Sequence, residues 1–227
     1  VAHHLVSLGC KVVVNARRSE RLEQVVTDLG RSKALAIAGD AGAPETIRRM
    51  LDAARDGHGG GVREADLVVV ERHAGAHRAP WLLSYSDWEA LRLAPCPLLL
   101  VKSGRPWRRP AILAAVDPAH AHAKPARLDT QILEVSGALR TALAGRLEVV
   151  HAFVPPLLFD ADLPGGGAAE GVALVAAAAE EAGRRLDALL AAQRLEKVVR
   201  HLPHAPAAEA IAATARQARA AIVVMGA

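Results

Sequence analysis

Two apolar runs in this chain end on residues suited to holding a nucleotide. Ile112-Leu113-Ala114-Ala115-Val116 leads into Asp117, and Ile222-Val223-Val224-Met225 leads into Gly226. A carboxylate at a strand end can accept hydrogen bonds from ribose hydroxyls or an adenine amine, and a glycine there lets the backbone approach a phosphate. A third run, Lys11-Val12-Val13-Val14-Asn15, leads into Ala16-Arg17-Arg18. The guanidiniums of Arg17 and Arg18 would stand where a ribose or its phosphate lies. Asp40, just past the next apolar run, can accept a hydrogen bond from an adenine amino group. All of these residues suit binding, and none is read as catalytic.

Other reactive residue types do not gather into sites. His120 and His122 stand two apart in a loop-like stretch with no cluster of carboxylates or cysteines, so no metal is expected. Gly165-Gly166-Gly167 lacks the Gly-Lys-Ser/Thr that makes a phosphate loop and reads as a turn. Cys10 and Cys96 are too far apart for a metal or redox motif and read as reduced thiols. The net charge of +4 is spread among acids with no long run of one sign, so no nucleic-acid partner is expected. No stretch approaches ~18 uninterrupted apolar residues and no leader is visible. The expectation is a cytoplasmic protein without a membrane partner.

The elements that must position these residues alternate between strand and helix. Apolar residues make up 52% of the chain but aromatics only 3%, which suits helices packed on parallel strands better than a β-sandwich. Strands are expected at 11–15, 34–38, 66–70, 98–101, 111–116, 147–153, 198–202 and 221–225. Helices are expected at 19–29, 44–54, 86–89, 130–144, 168–192 and 206–218, and Val1 to Leu8 reads as the end of an amphipathic helix stopped by Gly9. The fold class is α/β, three-layer and Rossmann-like, with parallel sheets joined by right-handed crossovers. With 227 residues, one large or two ordinary domains fit. The Pro- and Arg-rich stretch 104–110 is the expected linker between them.

Residues 1–70 resemble the short-chain dehydrogenase/reductase family. The resemblance is carried by Gly9 through Arg18, by Gly39-Asp40 and by Ala65 through Val70. It implies an NADP preference from Arg17 and Arg18 and an adenine contact from Asp40. The same resemblance argues against catalysis here. Glu71-Arg72-His73 replaces the family's Asn-Ala-Gly, and the family's Tyr-x-x-x-Lys has no counterpart, since the chain's one tyrosine, Tyr85, is followed four places on by Glu89. A phenol needs a nearby lysine to become acidic enough for that chemistry. The NADP contacts therefore read as vestigial.

Residues 111–227 resemble the universal stress protein family, carried by Ile112 through Asp117, Leu147 through Ala152, Pro206 through Ile211 and Ala221 through Gly226. The resemblance implies an adenine-nucleotide site for ATP with Asp117 as a ribose or adenine contact and Gly226 as the first of a spaced set of glycines. Two departures are the absence of the later glycines and His204-Ala205 where the family often has a glycine. Residues 66–103 resemble the end of a second, degenerate domain of that family, with Glu71, Ala74 and Ser84 at glycine positions; a Glu71 carboxylate there would repel a phosphate. The chain reads as an excerpt at both ends, with the seam between the two resemblances near Asp66 to Val70. The function expected is a non-enzymatic stress-response module with an incomplete ATP site. The alternatives are an inactive NADP-dependent reductase fragment and a ligand-free scaffold that dimerises through an exposed sheet edge.

Overall fold

In a computed structural model the chain forms two compact units, Val1–Pro106 and Trp107–Gly226. The structure describes residues 2–7, 9, 11–16, 18–40, 43–56, 68–71, 91, 97–101, 107–119, 127–154 and 168–226. Arg17, His120, His122, Cys10, Cys96, Ala74, Ser84, Tyr85, Glu89, the expected helix at 86–89, and the glycine turn at 165–167 lie outside them.

The first unit contains α1 (Ala2–Ser7), β1 (Val12–Ala16), α2 (Ser19–Leu29), β2 (Ala34–Ala38), α3 (Pro44–Asp56), β3 (Val68–Glu71) and β4 (Leu98–Val101). β1 and β2 pair in parallel, from Val12 opposite Ala34 to Ala16 opposite Ala38. β3 and β4 form a second parallel pair, from Val68 opposite Leu98 to Glu71 opposite Val101. α2 is amphipathic, with Leu22, Val26 and Leu29 on one buried face, as helical spacing requires. Val26 and Leu29 join Val6, Val12 and Ala34 in a core that takes in Val14, Val25 and Ala36.

The second unit contains β5 (Ala111–Ala115), α4 (Leu128–Ala142), β6 (Arg146–Val150), α5 (Ala168–Ala192), β7 (Val199–His201), α6 (Ala207–Gln217) and β8 (Ala220–Val224). Its four strands are all parallel in the order β7-β6-β5-β8. β5 is buried throughout, and a strand buried on both faces must be apolar throughout, as Ala-Ile-Leu-Ala-Ala is. Leu113 and Ala115 face one way with Val150, against Ile211 and Ala215 of α6. Ile112 and Ala114 alternate to the opposite face and are also fully buried. This is the parallel α/β arrangement expected from the sequence.

The boundaries moved in two informative places. α4 begins at Leu128 rather than at Thr130, which brings Asp129 into its first turn. The ladder of β6 ends at Val150 rather than Phe153, yet Phe153 still bridges in parallel to His204 one strand away. Among the described residues, no helix is long and apolar enough to cross a membrane.

Candidate functional site

Strand order decides where a ligand fits. β5 comes first in its unit, β6 and β7 lie to one side of it, and β8 lies to the other. The connection after β5 runs to β6 while β8 lies on its other side, so the strand order reverses at β5, and the carboxyl end of such a reversal is where parallel α/β sheets take a ligand. Asp117 and Gly226 both stand there, a few residues past the paired Ala114 and Val224. The structure thus brings together these two sequence-predicted residues, which are far apart in the chain.

Asp117 is held from behind. Its backbone N–H donates to Oδ1 of Asp129 at 3.0 Å. Asp129 is buried in the first turn of α4, where the helix N-terminus favours a negative charge. The Asp117 side chain keeps 44% exposure, with Oδ1 3.8 Å from Nδ1 of the buried His151. That same Nδ1 lies 3.2 Å from the Val116 carbonyl. A carbonyl only accepts, so Nδ1 is the donor in this contact. Gly226 seats against α4: a Cβ there would come within 2.7 Å of Leu128 Cδ2. Any larger residue would push the leucine methyl out of place.

The edge continues across β6 and β7. The His151 N–H donates to the His201 carbonyl at 3.0 Å, and the Phe153 N–H donates to the Pro203 carbonyl at 3.2 Å. The Phe153 and His204 rings stack with centroids 5.3 Å apart and planes inclined by 15°. His151, Phe153 and His204 were not predicted as site residues. The available signal was position alone: each lies within three residues of the end of an expected strand.

Below the edge sits a polar cluster with a structural task. Glu148, in the middle of β6, is buried and lies 2.8 Å from His201 Nε2, while Arg146 Nε donates to it at 3.0 Å. Arg146 also donates to the Ala218 carbonyl at the end of α6. Burial by itself raises the Glu148 carboxyl, but the hydrogen bonds and charges of His201 and Arg146 outweigh it and hold it below its ordinary 4.5. An acid inside an apolar strand must find such partners, and these tie β6 to β7 and to α6.

In the first unit Arg18 and Asp40 follow β1 and β2, so both lie at the carboxyl end of one strand pair. Arg18 is exposed and caps α2 without a side-chain cap hydrogen bond. Asn15 is committed to the backbone: its amide donates to the Ile37 carbonyl at 2.6 Å and the Gly39 carbonyl at 3.2 Å. Gly39 is pinned against α3, since a Cβ there would lie 2.5 Å from Thr46 Oγ1. The Asp40 carbonyl accepts from the Ala43 N–H at 2.9 Å, which sets the turn into α3. Among the described residues no group of three or more potential ligands gathers for a metal ion.

No family model matches the chain, and no curated protein matches it. Solved structures do resemble it. A protein described as a universal stress protein, from Pseudomonas aeruginosa UCBPP-PA14, superposes with a TM-score of 0.68 at 20% identity, over 97% of this chain and 74% of that one. A universal stress protein from Archaeoglobus fulgidus DSM 4304 gives 0.57 at 15% identity, over 99% of this chain and 80% of that one. At these identities the likeness establishes the fold: parallel-sheet, Rossmann-like α/β of the universal stress protein type. A short-chain dehydrogenase from Streptomyces avermitilis gives 0.33 at 14% identity, over 96% of this chain and 88% of that one, and carries no argument.

Proposed function

We propose that this protein is a non-enzymatic, universal-stress-type regulatory module of the cytoplasm with an incomplete adenine-nucleotide (ATP) site at the carboxyl edge of its second unit. The observation that carries the reading is the strand order β7-β6-β5-β8, which sets Asp117 and Gly226 on the two sides of the switch point. Asp117 is the acceptor for the ribose or the adenine amine, and Gly226 is the place where backbone can approach phosphate. The universal stress fold of the neighbouring structures supports the class. Arg18 and Asp40 are read as vestigial NADP-type contacts and not as a working site.

Calorimetric titration of the full chain with ATP tests this. Binding is expected, with Asp117→Ala weakening it at least tenfold, since hydrogen bonds to a charged acceptor contribute about 1.5–3 kcal/mol. No phosphate release above the uncatalysed level is expected. Absence of ATP binding, or equal affinity in Asp117→Ala, would reject the site.

A second reading, self-association, draws on a separate observation. β8 is an edge strand of its sheet and exposes Val223 at 38%, with Met225 just past it at 57%. An apolar exposed edge is a template for pairing with another chain. A concentration-dependent homodimer in sedimentation, dispersed by Val223→Lys, is the expected result. A monomer at every concentration would dismiss it.

A further inference from the structure

The edge of the four-stranded sheet opposite Asp117 and Gly226 gathers cations. All four strands are parallel, so their first residues share that edge. Ala111 is level with Arg146 on one side and Ala220 on the other, which puts Arg109 and Arg219 just outside the sheet. Glu148 is level with Val199, so Lys197 stands level with Arg146. The helices α4, α5 and α6 each precede a strand that starts at this edge, so they end there. Arg194 follows α5, and Arg216 lies in the last turn of α6.

Arg108, Arg109, Arg194, Lys197, Arg216 and Arg219 are all exposed. Among the described residues, none of their side chains makes an ion pair or a hydrogen bond. The one carboxylate in the joints 107–110, 143–145, 193–198 and 218–219 is Glu196. The backbone adds a second observation. It is left-handed at Arg109 (φ 48°), Arg194 (φ 55°) and Arg219 (φ 49°), and also at Ala144 (φ 48°). Glycine adopts that conformation freely, whereas a side chain with a Cβ is strained there. Three of these four joints nonetheless carry arginine. The negative end of a helix attracts cations, which accounts in part for Arg194, Arg216 and Arg219. It does not account for Arg109, which has no helix leading into it among the described residues.

We propose that this amino edge is a sequence-independent binding surface for the phosphodiester backbone of a nucleic acid. Strands about 4.8 Å apart spread the cations over roughly 14 Å across the sheet, wide enough to meet several phosphates. Guanidinium forks match phosphate oxygens in pairs. Interfaces with proteins are built round an apolar centre, and no exposed large apolar side chain lies in these joints. A polyanionic backbone needs no such centre. The sequence expectation of no nucleic-acid partner rested on the lack of a run of one sign. Folding assembles the charge instead, from stretches that lie far apart in the chain.

The test is fluorescence anisotropy of the full chain with a labelled random-sequence DNA duplex, the RNA duplex of the same sequence, and labelled poly-glutamate. Dissociation constants of roughly 10⁻⁶–10⁻⁴ M are expected for nucleic acid at physiological salt, with affinity falling steeply as salt rises. A shuffled duplex should bind equally well, and binding of either duplex supports the shared backbone chemistry. Arg194→Gly and Arg219→Gly remove a charge while giving the backbone a residue that suits it. Their melting temperatures should be unchanged or higher. Each should nonetheless lower the logarithmic salt slope on DNA by about 0.9, the share of one phosphate contact. Arg184→Ala, within α5 and paired with Glu180 and Glu181, should leave binding unchanged. No binding to either duplex, binding insensitive to salt, or full affinity in both glycine variants would overturn the surface. Poly-glutamate bound as tightly as the duplexes would overturn the choice of phosphodiester and assign the edge to an acidic protein.

Discussion

At the ends of β1 and β2, and again at the ends of β5 and β8, an acid follows an apolar parallel strand. In the first unit β1 and β2 form a two-stranded pair, and Asn15 and Gly39 at their ends are committed to local structure while Arg18 and Asp40 are exposed. Asn15 donates to two carbonyls of the neighbouring segment, and Gly39 makes room for Thr46. In the second unit β5 has hydrogen-bonded neighbours on both sides, and its acid stands where the strand order reverses. Asp40 and Asp117 are the same residue type in the same local pattern. The difference between them comes from the strand order around each, which no local motif encodes.

The comparison depends on the four-stranded sheet being the stiffer frame, and the largest expected effect tests that. Leu113→Ala, at a fully buried site between β5 and α6, should cost the second unit about 2–5 kcal/mol. Val14→Ala, at a half-buried site in β1, removes fewer buried groups and should cost the first unit roughly 1 kcal/mol. Hydrogen exchange followed by mass spectrometry separates the two units in the intact chain. Equal losses of protection would break the comparison.

Next in size is the cluster that braces the sheet. Glu148→Ala should destabilise the second unit by about 1–3 kcal/mol, because it removes the shared acceptor of Arg146 and His201. The sign of the pH dependence follows from the lowered carboxyl. A group held below its ordinary value contributes stability that is complete above that value and is lost as pH falls through the folded one. The gap between wild type and Glu148→Gln should therefore be full at neutral pH and close below 4.5. Urea unfolding at a series of pH values measures it. A gap that widens on acidification would show that Glu148 is not held ionised by its partners.

Much of the fold was legible because buried parallel strands are short apolar runs that periodicity can find. Ala111–Ala115, Leu98–Val101 and Ala34–Ala38 stand out in this way, and the helix Ala168–Ala192 falls where its alanine-rich pattern runs. Local context adjusted the ends. α4 starts early because Asp129 is drawn to the Asp117 N–H, a contact across the intervening loop. The candidate site was legible only in its parts. Asp117 and Gly226 could be named as strand ends, but their meeting depends on β8 crossing to the far side of β5. The partnership of Glu148 with His201 spans 53 positions, and the stack of Phe153 on His204 likewise depends on which strands are neighbours. Residue types announce that an acid or a ring needs a partner; only topology says which one.

The smallest effect is expected at Arg18, and it bears most directly on the contrast between the two edges. Arg18 is exposed, and its side chain makes no cap hydrogen bond to the α2 backbone. Replacing it with alanine should change stability by no more than about 0.5 kcal/mol, as surface substitutions away from special features do. If strand order is what makes a site of the second edge, NADPH should not bind the wild type measurably, and ATP affinity should be the same in the wild type and in Arg18→Ala. Fluorescence titration with NADPH and calorimetry with ATP, run on both proteins, decide the matter. NADPH binding that disappears in Arg18→Ala would mean that a guanidinium and an acid at adjacent strand ends suffice for a dinucleotide site. Strand order would then no longer be what separates the first edge from the second.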